Sequence, residues 1–336
     1  MRAIQFHQFG SPDELFIGEF PTPEPSEYQI RIRVKATALN RADLLQREGR
    51  YPPPAGESPI LGLEIAGEVE KLGSKVQKWK IGDRVCGLLA SGGYAEYAVI
   101  HEDMAMPIPN NLDFVAAAAI PEAFLTAFQA LVWIAKLQAG ESILIHAGAS
   151  GVGTAALQLA RLIGAKAYVT ASAEKHAICK SLGAEHCIDY KTEDFAQRIQ
   201  ILTEGRGVDV VLDFLGASYL EGNLQALGMD GRMALLAVMG GAQATGINLG
   251  MVLMKRLKIQ GSTLRARTLD YKTALTHAFV EMAWAHFASG QLFPVVDCVF
   301  PWDNVAEAHL YMEANRNQGK IVLSLQPLIY SGKPSG

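Results

Sequence analysis

The residues with the plainest chemical potential are Ala147-Gly148-Ala149-Ser150-Gly151-Val152-Gly153, a turn of small side chains between the run Ser142 to His146 and a helix predicted over Gly151 to Ile163. Strand, glycine-rich turn and helix in that order make a phosphate-binding unit. The first N–H groups of the helix have no acceptor in a preceding turn, and they carry the positive end of its dipole. Gly148 is expected to permit the tight turn, Gly151 to let the backbone approach a pyrophosphate, and Gly153 to let the helix pack closely on the strand. Ser150 stands where the stricter pattern has its second glycine, so its hydroxyl either donates to a phosphate or caps the helix. The bland alternative is a glycine-rich turn with no ligand.

About twenty residues further on, an NAD-specific site carries Asp or Glu at the tip of the second strand to hold the ribose hydroxyls. Here that strand ends Val169-Thr170-Ala171-Ser172, with Lys175 in the following turn. A hydroxyl and an ammonium suit a 2′-phosphate, so the expected cofactor is NADPH. Glu174 lies in the same turn and opposes that reading if it points inward. The ordinary alternative for Lys175 is an exposed lysine.

Metal and disulfide chemistry have little support. Cys86, Cys179, Cys187 and Cys298 are scattered and form no Cys-x-x-Cys pair, which reads as free buried thiols. His146 and His309 read as satisfied structural residues.

The elements that must position these residues fall into two grammars. Over the first ~120 residues, short runs such as Gln29-Ile30-Arg31-Ile32-Arg33-Val34-Lys35 place an apolar side chain at every second position, the period of a half-buried strand. Arg2 to Phe9, Glu64 to Lys71 and Gly93 to His101 read likewise, giving a mainly antiparallel β domain. An Asp113-led helix follows, and Glu122 to Lys136 has helical periodicity. From Ser142, continuous apolar runs alternate with helical stretches. Those strands are buried on both faces and require a parallel sheet covered by helices. The tail, with Phe300-Pro301-Trp302 and Lys320 to Leu325, turns strand-like again and could rejoin the first domain; Tyr330 to Gly336 reads as a frayed end.

The chain has 336 residues, 49% of them apolar and 19% charged, which fits two globular domains. A net charge of −4 gives no overall attraction to nucleic acid or to an anionic membrane. The N-terminus starts like a strand rather than a leader, and no run approaches the ~18 apolar residues of a membrane span. A cytoplasmic protein acting on small molecules is expected.

Several segments together resemble the zinc-independent quinone oxidoreductases of the medium-chain dehydrogenase/reductase superfamily. They are Ala38-Leu39-Asn40-Arg41-Ala42-Asp43-Leu44, Ile60-Leu61-Gly62-Leu63-Glu64, Ile120-Pro121-Glu122-Ala123, Leu144 to Gly148, Tyr311 to Asn315 and Gly319 to Leu323. The resemblance implies an α/β protein with a GroES-like β domain over residues 1–121 and 290–330 and a doubly wound Rossmann domain over 122–289. It also implies a homodimer paired through the strand near Lys258 to Leu264. Zinc-dependent relatives have Cys in place of Asn40 and His in place of Leu63, so no metal site is expected.

Carried across by resemblance, Asn40, Tyr51 and Thr126 would line the nicotinamide side, and Gly151, Val152 and Gly153 would underlie the pyrophosphate. Ser172, Lys175 and Tyr190 would surround the adenosine phosphate. Phe214, Met239 and Gly240 follow the later strands, and Leu264 and Lys320 would close the cleft. Tyr51 has a bland alternative, packing on Pro52 to Pro54, and Met239 has one as a core residue. Without zinc to stabilise an alkoxide, alcohols are poor candidates, whereas a quinone accepts electrons readily. Asn40 and Tyr51 would hydrogen-bond the quinone oxygen while Lys320 orients the cofactor. The alternatives are an enone or enoyl reductase with Tyr51 as proton donor, and a non-catalytic structural or RNA-binding role on Lys255, Arg256, Lys258, Arg265 and Arg267. Nucleic acid is not the expected partner, because no aromatic residues interleave with those charges.

Overall fold

The computed structural model describes residues 1–327, so the expected frayed end at Tyr330 to Gly336 lies outside the described residues. The chain divides into two compact units. One comprises Met1–Glu122 and Arg265–Gly336, the other Ala123–Leu264.

In the first unit, β1 (Arg2–Phe6) and β2 (Leu15–Glu19) form a two-stranded antiparallel sheet. The larger sheet is organised on β3 (Gln29–Ala38), which pairs antiparallel with β4 (Glu64–Leu72) and β6 (Tyr97–His101). Strands β5 (Arg84–Leu88) and β7 (Ala105–Pro107) continue the sheet from β4. The alternation works as expected: Ile30, Ile32 and Val34 are buried in the core. Directly after β3 the chain turns into α1 (Arg41–Arg47), which the sequence had not announced. Helix α2 (Phe114–Ala118) is capped by Asp113, whose carboxylate accepts from the Ala116 N–H at 2.8 Å.

Helix α3 (Pro121–Phe128) leads into the second unit, continuing as a π-helical stretch over Gln129–Ile134. Strands and helices then alternate: β8 (Ser142–Ile145), α4 (Gly151–Ile163), β9 (Lys166–Thr170), α5 (His176–Ser181), β10 (Ala184–Ile188), α6 (Phe195–Leu202), β11 (Val208–Asp213), α7 (Ala217–Ala226), β12 (Leu227–Leu235), α8 (Leu249–Met254) and β13 (Lys258–Gly261). The sheet order is β10-β9-β8-β11-β12-β13, parallel throughout. The chain winds outward from β8 to β10, then returns beside β8 with β11 and winds the other way. That reversal is the switch point at which open α/β sheets bind ligands, outside the C-terminal ends of the strands. The continuous apolar runs are fully buried, as two-sided coverage demands: Ile143, Leu144, Ile145, Val210, Val211 and Leu212 are all inaccessible.

The return to the first unit comes at Leu264/Arg265, not at the expected residue 289/290. The cause is α9 (Leu269–Ala288), a helix that lies within the stretch expected for the dinucleotide-binding domain. Its stripe Leu275, Phe279, Ala283 and Phe287 recurs every fourth residue and is wholly buried. Polar contacts attach it to the β unit: Trp284 Nε1 donates to the Pro107 carbonyl at 2.9 Å, and Asn111 Nδ2 donates to the Phe287 carbonyl at 3.0 Å. The tail also belongs here. Strand β14 (Val296–Pro301) runs parallel to β15 (Lys320–Ser324), and β15 pairs antiparallel with β3; α10 (Val305–Glu313) connects them. Among the described residues no helix is long and apolar enough to cross a membrane.

Candidate functional site

The glycine turn lies at the C-terminal end of β8, beside the switch point. Ser150 is the N-cap of α4, and its Oγ accepts from the Gly153 N–H at 3.0 Å. Capping uses a lone pair of the hydroxyl and leaves the O–H to donate outward, so the two expected roles are compatible. The N–H groups of Gly151 and Val152 have no acceptor within the helix and form, with the helix dipole, a concentrated positive end.

The glycines divide their work differently from the expectation. The left-handed residue of the turn is Ala147, at φ +48°, a conformation that costs a side chain roughly 1–2 kcal/mol. Gly148 is required for space instead: a Cβ there would lie 2.6 Å from Val169 Cβ. At Gly153 a Cβ would meet the carbonyl oxygens of Ala147 and Gly148 at 2.4 and 2.7 Å, so the absence of a side chain allows the helix to start against the turn. These features fit the pyrophosphate of a dinucleotide.

Below the turn, His146 is fully buried. Its Nε2–H donates to Asn223 Oδ1 at 2.7 Å, and Nδ1 accepts from the Thr170 hydroxyl at 3.0 Å. Phe195 and Tyr219 flank the ring edge-on, each centroid 4.8 Å away. Burial brings its pKa down to about 4, so the ring is neutral, as a structural histidine should be.

At the tip of β9, Ser172 is buried and donates from Oγ to Glu174 Oε1 at 2.7 Å; Lys191 Nζ approaches the same oxygen at 3.5 Å. The Ser172 bond, with help from Lys191, holds the exposed Glu174 carboxylate down at about 2. Glu174 therefore occupies the hydroxyl that a 2′-phosphate would use, and Lys191 is a cation that the sequence reading overlooked. Lys175 is half-buried at the start of α5, and Tyr190, after β10, is half exposed.

The later strand ends carry the other expected residues of this unit. Phe214 is buried just past β11, Met239 is exposed in the loop after β12, and Leu264 is buried after β13. The Met239 and Gly240 N–H groups donate to the Phe214 and Leu215 carbonyls at 3.1 and 2.7 Å, which ties the β12 loop to the β11 end. A Cβ at Gly240 would collide with Ser218 Oγ at 2.0 Å. Thr126 is half-buried on α3.

In the first unit a compact polar cluster forms at the start of α1. Lys320 Nζ donates to the Leu39 carbonyl at 2.7 Å, to Asn40 Oδ1 at 2.6 Å and to Glu64 Oε1 at 2.7 Å. All three ammonium protons are thereby engaged, so Lys320 acts here by position and charge and not as a free donor. Asn40 Nδ2 donates to Glu64 Oε1 at 2.9 Å and to the Ala38 carbonyl at 3.3 Å. Both amide protons of Asn40 are used, which corrects the expectation that it donates to a quinone oxygen. Glu64 Oε2 accepts from the Glu122 N–H at 2.8 Å.

A second carboxylate lies behind Asn40. Asp43 Oδ2 accepts from the Asn40 N–H at 2.8 Å and Oδ1 from the Gly62 N–H at 3.0 Å, and burial lifts its pKa to about 6. The Tyr94 hydroxyl donates to Asp43 Oδ2 at 3.3 Å and lies 3.4 Å from His309 Nε2. Because the Arg47 guanidinium only donates, its 3.1 Å contact makes His309 Nδ1 an acceptor and puts the ring proton on Nε2, facing Tyr94. Burial, then Arg47, lowers His309 to about 3. The cluster is thus satisfied with a neutral imidazole.

Tyr51 is the group with an available donor. Arg265 lies over its ring, 5.1 Å from the centroid, and donates to the Tyr51 carbonyl at 3.1 Å. The Tyr51 hydroxyl itself has no partner among the described residues, and burial raises its pKa. Arg265 is almost fully buried and also donates to the Ala90 carbonyl at 2.6 Å. It was read as part of a basic patch; the structure makes it the support of Tyr51. Other members of that patch are engaged as well. Lys255 Nζ donates to the Leu224, Gln225 and Leu227 carbonyls, and Arg256 pairs with Asp230.

The cluster around Asn40 and Glu64 does not fit zinc. A zinc site needs deprotonated sulfur, imidazole or carboxylate donors, and here an ammonium already lies among the oxygens. Among the described residues no group of three or more His, Cys, Asp and Glu side chains is placed to hold a metal.

Residues 26–110 match the alcohol dehydrogenase GroES-like domain, and residues 151–280 match the zinc-binding dehydrogenase family. A quinone oxidoreductase of Pseudomonas aeruginosa is 35% identical over 327 residues, covering 96% of this chain and 99% of that one. The crystal structure of CurK enoyl reductase is similar with a TM-score of 0.86 and 30% identity, over 96% of this chain and 98% of that chain. A mycobacterial protein solved with NADPH gives 0.84 and 28%, over 96% and 99%. A GroES-like β unit carried with a parallel dinucleotide-binding sheet defines a dehydrogenase/reductase of the medium-chain class. The chain belongs to that superfamily and, within it, to the quinone oxidoreductase family. It is an oxidoreductase of a nicotinamide-dependent kind.

Proposed function

We propose that the protein is a zinc-independent, NADPH-dependent quinone oxidoreductase. The observation that carries this reading is the saturated Lys320 ammonium between Asn40 and Glu64. It supplies a fixed positive charge and a fixed Asn40 amide, but no Lewis-acid donor set of the kind that stabilises an alkoxide. An acceptor that is already electrophilic needs little more than orientation and one donor, which Tyr51 has available. Bound at the turn of α4, a nicotinamide cofactor supplies the reducing equivalents. In this reading Gly148, Ser150, Gly151, Val152 and Gly153 hold its pyrophosphate; Ser172, Lys175 and Tyr190 take the adenosine phosphate; Thr126, Phe214, Met239, Gly240 and Leu264 line its course; and Asn40, oriented by Lys320, serves the nicotinamide side. The Ser172 hydroxyl at the tip of β9 and the Lys175 ammonium after it favour NADPH over NADH, with the Glu174 carboxylate on Ser172 opposing them. The proposal includes a cytoplasmic location.

The test is turnover of a panel of quinones and enones with NADPH and NADH in parallel. Quinone-dependent oxidation of NADPH is expected. No oxidation of either cofactor with any acceptor defeats the enzyme reading, and preference for NADH defeats the assignment of Lys175.

Enone reduction is the second reading, favoured by the free Tyr51 hydroxyl and the likeness to an enoyl reductase. We also propose a homodimer. Strand β13 is exposed along its whole length at the edge of the parallel sheet, and α8 beside it exposes Leu249, Leu253 and Met254. Such an edge needs cover, which a second copy gives by continuing the sheet. Monomeric sedimentation at micromolar concentration would remove that part.

A further inference from the structure

Helix α5 and strand β10 are joined by only Leu182 and Gly183, so the helix folds back onto the strand that follows it. The return sets Cys179 of the helix beside Cys187 of the strand, close enough for each thiol to shift the titration of the other. Cys187 Sγ is also 3.7 Å from the His176 carbonyl in the first turn of α5. Cys179 is fully buried, whereas Cys187 is partly open to solvent. No step of the proposed reductase chemistry uses either sulfur.

We propose that Cys187 is a peroxide-reactive thiol and Cys179 its resolving partner, so that a hydroperoxide closes a reversible disulfide between α5 and β10. In the first step the Cys187 thiolate attacks the peroxide. An S–O bond forms and the O–O bond breaks; the sulfur loses two electrons to the peroxide, and the alcohol or water leaves with a proton. In the second step the Cys179 sulfur attacks the sulfenic acid at Cys187. The S–S bond forms, the S–O bond breaks, and the Cys179 proton leaves with the hydroxide as water. Two thiols and one hydroperoxide thus give one disulfide, one alcohol or water, and one further water.

The environment sorts the two sulfurs into these roles. The neighbouring Cys179 thiol, with His176 and Lys180 nearby, brings Cys187 down to about 7 while Cys179 is pushed well up. Thiolate character together with access is what selects a sulfur for oxidation. The long contact to the His176 carbonyl is given up on ionisation at little cost, since sulfur is a weak donor. The other cysteines contrast: Cys86 is buried with its thiol pushed up, and burial raises Cys298 to about 12.

The experiment uses the full chain, graded doses of hydrogen peroxide and peptide mass spectrometry without reduction. Lys180 separates the two cysteines, so a protease that cuts after lysine leaves them on different peptides joined only by the bridge. In the native chain we expect the linked pair, lighter by two hydrogens and restored by dithiothreitol. Cys179→Ala keeps an apolar side chain in the core and is expected to stop at a sulfenic acid on Cys187, trapped by dimedone at least about tenfold faster than any adduct on Cys298. Cys187→Ser is expected to give neither product. The proposal is overturned by absence of the linked pair in the native chain, a result that stands even if the alanine variant fails to fold. It is overturned equally by labelling of Cys187 no faster than Cys298.

Discussion

Lys320 Nζ donates to Glu64 Oε1 at 2.7 Å, and the two side chains are 5% and 0% exposed. Removing one member of a buried pair leaves the other charged and unpaired, which costs about 3–5 kcal/mol, more than the pair itself contributes. Lys320→Met is expected to destabilise the protein by that amount in urea unfolding. Adding Glu64→Gln should recover part of the loss, because the stranded charge is gone. Additive losses in the double variant would show that the two groups do not act as a pair. Since Lys320 also holds Asn40 Oδ1, both variants should lower kcat/KM for the reductase reaction beyond any change explained by the folded fraction.

Tyr51 and Asn40 were expected to share the donor role, and the geometry separates them. Both Asn40 amide protons are engaged, whereas the Tyr51 hydroxyl has no partner among the described residues. For an enone, a proton must be delivered to carbon, so Tyr51→Phe should lower kcat/KM by about 100-fold. A quinone oxygen needs only a hydrogen bond, and there the loss should stay within about tenfold. If both activities survive the change intact, Tyr51 is not the donor.

The parallel sheet was readable because its strands are continuous apolar runs and its first turn carries a local, sequence-contiguous pattern; α4 falls on the residues the periodicity predicted. Helix α9 was not seen, although its buried positions recur every fourth residue, because apolar residues such as Leu269, Ala274 and Ala288 also lie outside the stripe and blur it. Because the stripe is blurred, the expected domain boundary falls after this helix and not before it. The pairing of Glu64 with Lys320 joins residues far apart in sequence, and no local spacing announces such a contact. Asp43 did leave a trace: an Asn40 followed at the third position by a carboxylate is a helix-start signal, and Asp43 does accept from the Asn40 N–H. Its burial, which lifts its pKa, belongs to tertiary packing and has no counterpart in the spacing.

Glu174 accepts from the Ser172 hydroxyl, and under the proposed assignment of the 2′-phosphate to Ser172 it competes for that hydroxyl. Its carboxylate is held ionised by that bond and by Lys191, so it opposes the phosphate throughout the neutral range. Glu174→Gln removes the repulsion and leaves a side chain that can still accept from Ser172. The Kd for NADPH should fall about five- to tenfold at low salt, less at high salt, and the Kd for NADH should change little. Fluorescence titration of both cofactors checks this. An equal change for the two would place Glu174 away from the 2′ position.

His146 makes an acid-sensitive joint beneath the glycine turn of α4. Its pKa is about 4 in the folded protein against 6.5 for a free imidazole, because the ring is buried. Between those values the unfolded chain takes up a proton that the folded chain refuses. The contribution of His146 to stability is therefore fully present above pH 6.5 and is lost as pH falls toward 4, by about 3 kcal/mol in all. Asp43 acts in the opposite direction over part of this range: its folded pKa of about 6 lies above the model-compound 3.8, so the folded chain holds a proton there more firmly than the unfolded one. The wild-type pH profile mixes the two. The difference between wild type and His146→Gln isolates the imidazole, since glutamine can still bond to Asn223 but does not titrate. Urea unfolding at pH 4.5, 5.5 and 7.5 should show the variant at its largest disadvantage at pH 7.5, with the gap narrowing steadily as acid is added. A gap independent of pH would mean that His146 is not held neutral in the folded protein.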